Sequence, residues 1–158
     1  MKNFLKKIFP CLFQKTISEI KIFPHYTPDE LDFEIIDLIN KYRESYGLTI
    51  LQDCDLAKNS LFDVSNSHSE WLAENIVDLD DYNTRKHFYL EERQNAFIGK
   101  RVGEMSAMGY KTAKSVVAAW KNSELHNEMM TSEKYRKIGV SHKLSNSGKM
   151  FYCVMFTD

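Results

Sequence analysis

The sequence predicts an α+β fold, a small sheet covered by helices on both faces. Three observations carry that reading. The chain ends in two β-patterned runs joined by Ser145-Asn146-Ser147-Gly148. The second run is apolar on both sides, with Met150, Tyr152, Val154 and Phe156 on one and Phe151, Cys153 and Met155 on the other, and a strand apolar on both faces is buried on both. Upstream, three segments carry apolar residues at helical spacing, which supplies the covering layers. The 158 residues suffice for one domain with a substantial core and are too few for two ordinary ones.

Residues 1–28 read as an N-terminal appendage, a tail or weak surface anchor, because Pro10, Pro24 and Pro28 all fall there. Phe4, Leu5, Ile8, Phe9, Leu12 and Phe13 share one helical face with lysines elsewhere, so residues 1–13 are expected to make at most a weak membrane-surface contact. They make a poor signal peptide: the apolar part is short, holds Pro10 and lacks a small-residue cleavage site. The domain proper is placed at 29–158. Thr27 is the expected cap of the first helix and Pro28 its first residue. Leu31, Ile35, Leu38, Ile39, Tyr42 and Tyr46 then recur at helical spacing up to Gly47, which suits a left-handed helix end. Leu48 to Leu51 read as an extended connector.

Asp53 or Asp55 is the expected start of a second helix, with Leu61, Val64, His68 and Leu72 on its apolar stripe. His68 on that stripe reads as a core histidine with one hydrogen bond and not as a ligand. Residues 75–83, with Asp78, Asp80 and Asp81, read as a solvated connection, since they lack the ordered oxygens, glycine and closing glutamate of a calcium loop. Residues 85–98 carry packing aromatics without a clear period. Val102 to Met105 reads as a brief strand. Thr112 caps a third helix with Ala113, Val116, Val117 and Trp120 inward, and Ser123 restarts a short turn through Met130. The final strands are expected at Lys137 to Leu144 and Met150 to Thr157.

Several functions are disfavoured at once. A net charge of −1 gives no electrostatic footprint for nucleic acid. There is no HExxH helix, GxSxG elbow, P-loop or dinucleotide fingerprint. Cys11, Cys54 and Cys153 are too few and too scattered for a disulfide framework or zinc ribbon, which leaves open one Cys54–Cys153 bridge in an oxidising compartment. Gly103-Glu104 places a carboxylate in an otherwise apolar stretch, where it needs donors or a cation if buried. His87 and His126 each, taken alone, read as ordinary surface or helix-end histidines.

Spacing over the whole domain is more informative. Ile39-Asn40-Lys-Tyr-Arg43 with Tyr46-Gly47-Leu48, His68-Ser69-x-x-Leu72-Ala73, His87 with Arg93, Val102-Gly103-Glu104-Met105, Val117-x-x-Trp120-x-x-Ser123-x-x-His126 and Tyr135-x-x-Ile138-Gly139-Val140 together resemble the bacterial branch of the CAP superfamily, also called the SCP-like domain. Met105 stands where that family usually has asparagine. The resemblance implies a three-layer α-β-α sandwich around a small, mainly antiparallel sheet. It implies a cleft of His87, Glu104 and His126, with Glu124 as a second acid. It further implies a divalent metal, zinc or another, weakly bound by His87 and His126 with water completing the set. The expected function is a non-catalytic binding module for a small molecule, lipid, glycan or peptide; the resemblance implies an extracellular or cell-surface setting, and the poor signal peptide leaves a cytoplasmic one open. The alternative is a metal-dependent hydrolase or peptidase with Glu104 as general base.

Overall fold

The computed structural model describes residues 23–53, 59–97 and 100–158. Four strands form one sheet in the order β1-β3-β4-β2: β1 (Gln52–Asp53), β2 (Val102–Met108), β3 (Lys137–Leu144) and β4 (Met150–Thr157). The hairpin lies where its alternation put it, with Leu144 opposite Met150 and Lys137 opposite Thr157. β2 runs antiparallel to β4, Met108 opposite Phe151 and Val102 opposite Thr157, while the short β1 is parallel to β3. β4 therefore occupies the middle of the sheet with both faces buried.

Its two sides meet different layers. Helices α1 (Glu30–Glu44) and α5 (Ala113–Lys121) bring Ile35, Ile39, Val116, Val117 and Trp120 onto Tyr152, Val154 and Phe156. On the other face, α2 (Leu61–Asn75) sets Leu61 and Val64 against Cys153 and Met155, and Leu72 against Phe151. The result is the expected three-layer sandwich. Each wholly buried large apolar side chain contributes about 1.5–3 kcal/mol, so the layers hold by burial from both sides of β4. Three short helices complete the described chain: α3 (Leu79–Arg85), α4 (Leu90–Asn95) and α6 (Glu124–Met130).

Polar clamps set the joints. Asn40 donates from its amide to Leu51 O at 2.9 Å and accepts from Leu51 N at 2.8 Å, which pins the connector to α1. Arg43, 1 % exposed, donates to Thr49 O, Met130 O and Ser132 O, tying the end of α1 to the end of α6. Both residues come from the Asn-x-x-Arg segment of the opening helix, and here their work is structural. Gly47 takes φ +70 at the helix end, as its position predicted.

Gly139 is required for a different reason. A Cβ there would stand 2.5 Å from the Leu61 backbone carbon and 2.7 Å from Phe62 N, so bare backbone on β3 is what lets α2 lie down on the sheet. Gly139→Ala forces that helix outward and is expected to cost about 1–3 kcal/mol. Urea unfolding would read this as a lowered midpoint, and an unchanged midpoint would show that α2 does not sit so close.

Several helix starts differ from expectation. The cap of α1 is Asp29, not Thr27, because Asp29 and Asp32 form a reciprocal capping box. Ser60, not Asp53 or Asp55, caps α2 through a second box with Asp63, and Asp53 is in β1. The acidic stretch holds α3, since Asp78 caps it and Asp80 and Asp81 suit its first turn. The segment 85–98 includes α4, and β2 continues beyond Met105 to Met108.

Residues 23–28, assigned to the appendage, lie on the domain. Phe23 is buried, its N–H donates to Asn59 Oδ1, Tyr26 N–H donates to Asp63 Oδ1, and Tyr26 O–H donates to Asp32 Oδ2. This strap joins the first turns of α1 and α2. The expectations for residues 1–22 and for Cys54 lie outside the described residues; Cys153 is a buried free thiol. Among the described residues, no helix is long and apolar enough to cross a membrane.

Candidate functional site

The site forms at the sheet's edge, where β2 is exposed to both helical layers. Glu104 sits opposite Met155 in the register and so faces α2. The preceding Gly103 keeps β2 bare on its other face, where a Cβ would stand 2.5 Å from Tyr135 Oη and 2.8 Å from Met129 Cε. That close approach seats α6, which carries His126, beside β2. The turn between α3 and α4 brings in His87, and α4 brings in Arg93. Phe88-Tyr89 makes that turn, with Tyr89 at φ +61, a left-handed backbone that costs a non-glycine residue roughly 1–2 kcal/mol.

Glu104 is 6 % exposed and is surrounded by donors. Arg93 grips it with two guanidinium nitrogens, Nε to Oε2 and Nη2 to Oε1, the latter at 2.8 Å. His87 Nδ1–H donates to Oε1 at 3.0 Å. His68 Nε2 lies 3.6 Å from the same oxygen. Burial pushes the Glu104 carboxyl pKa up, but the His87 and Arg93 hydrogen bonds, with the charges of His68 and Arg93, outweigh it and hold the value down to about 2. The carboxylate is thus ionised and an acceptor only, which assigns a proton to His87 Nδ1 and turns Nε2 away from the ion pair. Arg93 also donates from Nη1 to Phe88 O at 2.7 Å, holding the turn that carries His87.

His68 is the core histidine that its place on the apolar stripe suggested. It is 1 % exposed, and its Nε2–H donates to Lys86 O at 2.7 Å. Burial is the main force lowering its pKa to about 4, with the charges of Arg93 and His87 adding to it and Glu104 and the Lys86 bond opposing. His126 is half-buried, and burial, then the charges of Lys86 and His87, lower its pKa. Both effects favour its neutral imidazole, and the second places it within electrostatic reach of His87. Glu124 stands exposed on the first turn of α6.

His87 and Glu104 thus share a hydrogen bond, and His126 lies within electrostatic reach of His87. Among the described residues, Glu124 shares no hydrogen bond or ion pair with the other three. Sequence reasoning omitted Arg93 from the site, although its spacing from His87 is part of the family pattern. A lone arginine among Glu91, Glu92 and Gln94 looks like surface, and nothing local shows that its partner is on β2. Among the described residues, the one group of three or more donors whose ligand atoms all lie within 4.8 Å of one another is Asp29, Asp32 and His142. That group is a brace. Asp32 Oδ2 accepts from Tyr26 O–H and Asp29 N–H, and Asp32 Oδ1 accepts from His142 Nδ1–H at 2.9 Å, joining β3 to the start of α1.

These groups give opposite pH responses. His68 has a folded pKa near 4 against an ordinary 6.5, so its contribution to stability is complete above 6.5 and is lost as pH falls toward 4. The Glu104 contribution is complete above 4.5 and is lost as pH falls toward 2. His142 is raised by its Asp32 hydrogen bond against the pull of burial, so its contribution is complete below 6.5 and is lost as pH rises through the raised value. Thermal unfolding of the native chain should therefore weaken from pH 6.5 to 4. His68→Gln, which keeps a donor for Lys86 O, should flatten that interval. Parallel curves for both proteins would contradict the assignment of His68.

The family model described as CAP, cysteine-rich secretory protein family, matches residues 36–156. Solved structures that share the fold include three bacterial proteins. An outer surface protein from Borrelia burgdorferi is 18% identical with a TM-score of 0.58, over 85% of this chain and 98% of that one. A cysteine-rich secretory protein from Staphylococcus aureus subsp. aureus Mu50 is 15% identical with a TM-score of 0.57, over 82% of this chain and 40% of that one. An extracellular protein containing an SCP domain from Bacillus anthracis str. Ames is 23% identical with a TM-score of 0.56, over 83% of this chain and 43% of that one. The chain thus matches less than half the length of the latter two, and at these identities the likeness is one of fold. No curated protein matches the chain.

Proposed function

The chain belongs to the CAP, or cysteine-rich secretory protein, family, and from that premise we infer that it is a binding module whose cleft, lined by His87, Glu104 and His126, performs no hydrolysis. The observation that carries this reading is the occupation of Glu104. A general base must reach the proton it removes and have a pKa near the working pH. Glu104 is buried, gripped through both oxygens by Arg93, and held near pKa 2. It is a fixed anion that orients His87 and not a proton acceptor.

The residues fit a loosely held divalent metal. A ligating histidine usually gives its other nitrogen to a carboxylate, and His87 does so to Glu104, with Nε2 left for coordination. His126, whose neutral form burial favours, is a second nitrogen donor. With two protein ligands and water, binding is weak and exchangeable, and the metal's contribution would be to polarise a ligand's oxygen. An extracellular or cell-surface setting accords with the descriptions of the Borrelia and Bacillus proteins. Calorimetry with zinc should show weak binding that His87→Ala with His126→Ala abolishes while far-UV circular dichroism stays the same. An unchanged affinity would reject the shared metal site, and turnover of peptide substrates that falls with Glu104→Gln in a still-folded protein would reject the non-catalytic reading.

A further inference from the structure

The described residues begin at Phe23, and Phe23 is itself part of a cavity wall. It is 3 % exposed, packed with Leu61, Val64 and Met155, and it lines a space of about 100 Å³. Ser67 and Trp71 of α2 line the same space, with Tyr89 at the cap of α4 and Glu92 in the first turn of that helix. The size narrows the choice of occupant. Pockets for drug-sized ligands run to ~300–1,000 Å³, and a cavity of ~150 Å³ admits benzene. This one has room for a single branched side chain.

The chemistry of the wall narrows it further. Phe23, Trp71 and Tyr89 make the lining aromatic, the last two rings 5.9 Å apart and nearly perpendicular. One acid, Glu92, and one arginine, Arg93, also line it, and Glu104 already answers the arginine's charge. Such a wall suits an aliphatic side chain next to a cation. The residues directly before Phe23 have that character: Ile20-Lys21-Ile22, within a stretch 1–22 that carries Lys2, Lys6, Lys7, Lys15 and Lys21 against the single acid Glu19. Reach is no obstacle, because three residues span up to ~10 Å and Phe23 fixes their end at the cavity. A tethered segment also competes at an effective concentration of roughly millimolar, which favours it over a free ligand or a second chain.

We propose that this cavity is a docking site for the chain's own N-terminal segment, with an isoleucine of the pair Ile20 and Ile22 held against Trp71 and Tyr89 and Lys21 directed to Glu92. The segment then packs on α4, the helix whose Arg93 anchors Glu104, and it extends the strap that joins the first turns of α1 and α2. The proposal does not depend on any metal in the cleft.

The test uses the full chain with ¹³C-labelled isoleucine methyls, assigned through Ile20→Val and Ile22→Val. A methyl of Ile20 or Ile22 should give cross-peaks to the Trp71 and Tyr89 rings and resonate upfield of its position in a free peptide. Tyr89→Gly suits the φ of +61 at that position and removes the ring, so it should shift that methyl back downfield while the Trp120 indole N–H resonance stays in place. Free-peptide shifts without ring cross-peaks in the native chain would overturn the proposal. So would a methyl that Tyr89→Gly leaves unmoved, or cross-peaks that run between labelled and unlabelled chains in a mixed sample, which would give the cavity to a second copy.

Discussion

Glu104→Ala should be among the most damaging single changes in this domain, at about 3–5 kcal/mol. Its removal leaves Arg93 charged and 4 % exposed with no carboxylate to answer it, and losing one partner of a buried pair typically costs that much. It also deprives His87 of its acceptor. Such a loss is a large share of the roughly 5–15 kcal/mol that holds an ordinary domain together, so Glu104→Gln, which retains an oxygen acceptor, should be the milder companion. The diagnostic comparison is the double variant Arg93→Met with Glu104→Leu. Replacing both charges with apolar groups of similar size removes the desolvation cost along with the attraction, and it should recover most of the stability lost in Glu104→Ala. Urea midpoints at pH 7 measure all three. A double variant no more stable than Glu104→Ala would mean that the ion pair is not what Arg93 contributes.

Trp120→Ala should cost a similar ~3–5 kcal/mol. Trp120 is 1 % exposed at the end of α5, within the cluster that joins α1, α5 and the inner face of the sheet. Its indole N–H donates to Ser106 O on β2 at 3.4 Å, and Ser106 Oγ shares a 2.9 Å hydrogen bond with Tyr82 Oη of α3. The ring thus fills the core and sits one step from elements that place His87 and Glu104. The expected result is a large drop in the urea midpoint together with weaker zinc binding in whatever fraction stays folded. A nearly unaltered midpoint would show that the α5 layer is not packed as described.

Much of this fold is legible in the sequence because its strongest signals are local. β3 and β4 fall on the expected residues, since alternation over eight positions admits no other register and the double-sided apolar run of β4 forces a covered sheet. Thr112 is recognisable as a cap because Ser115 completes a box three residues on. The misjudged helix starts have a common cause. Asp29 and Ser60 each compete with neighbouring cap formers, and the box partners of both, Asp32 and Asp63, are also held by tertiary bonds from Tyr26. The acidic run at 78–81 looks solvated in the sequence, while in the structure the same carboxylates stabilise the start of α3.

The site is only half legible for a related reason. His87, Glu104 and His126 stand out through a family spacing, and nothing in their own neighbourhoods distinguishes them. Arg93 and His68 escape assignment to the site because their importance lies in contacts with β2, and no local pattern encodes a contact between α4 or α2 and a distant strand. His68 is rightly read as a core histidine, yet its unpaired Nδ1 is visible only once the carbonyl of Lys86 has taken the other nitrogen.

Both the non-catalytic reading and the orientation of His87 require Glu104 to be a permanently ionised anchor. Its side-chain carboxyl ¹³C shift reports this when followed from pH 7 downward for as long as the domain remains folded. The resonance should stay at its ionised position through pH 4.5, the ordinary midpoint for a glutamate, and begin to move only as pH approaches 2. A midpoint at or above 4.5 in the folded protein would refute the anchor and return Glu104 to the groups able to take a proton.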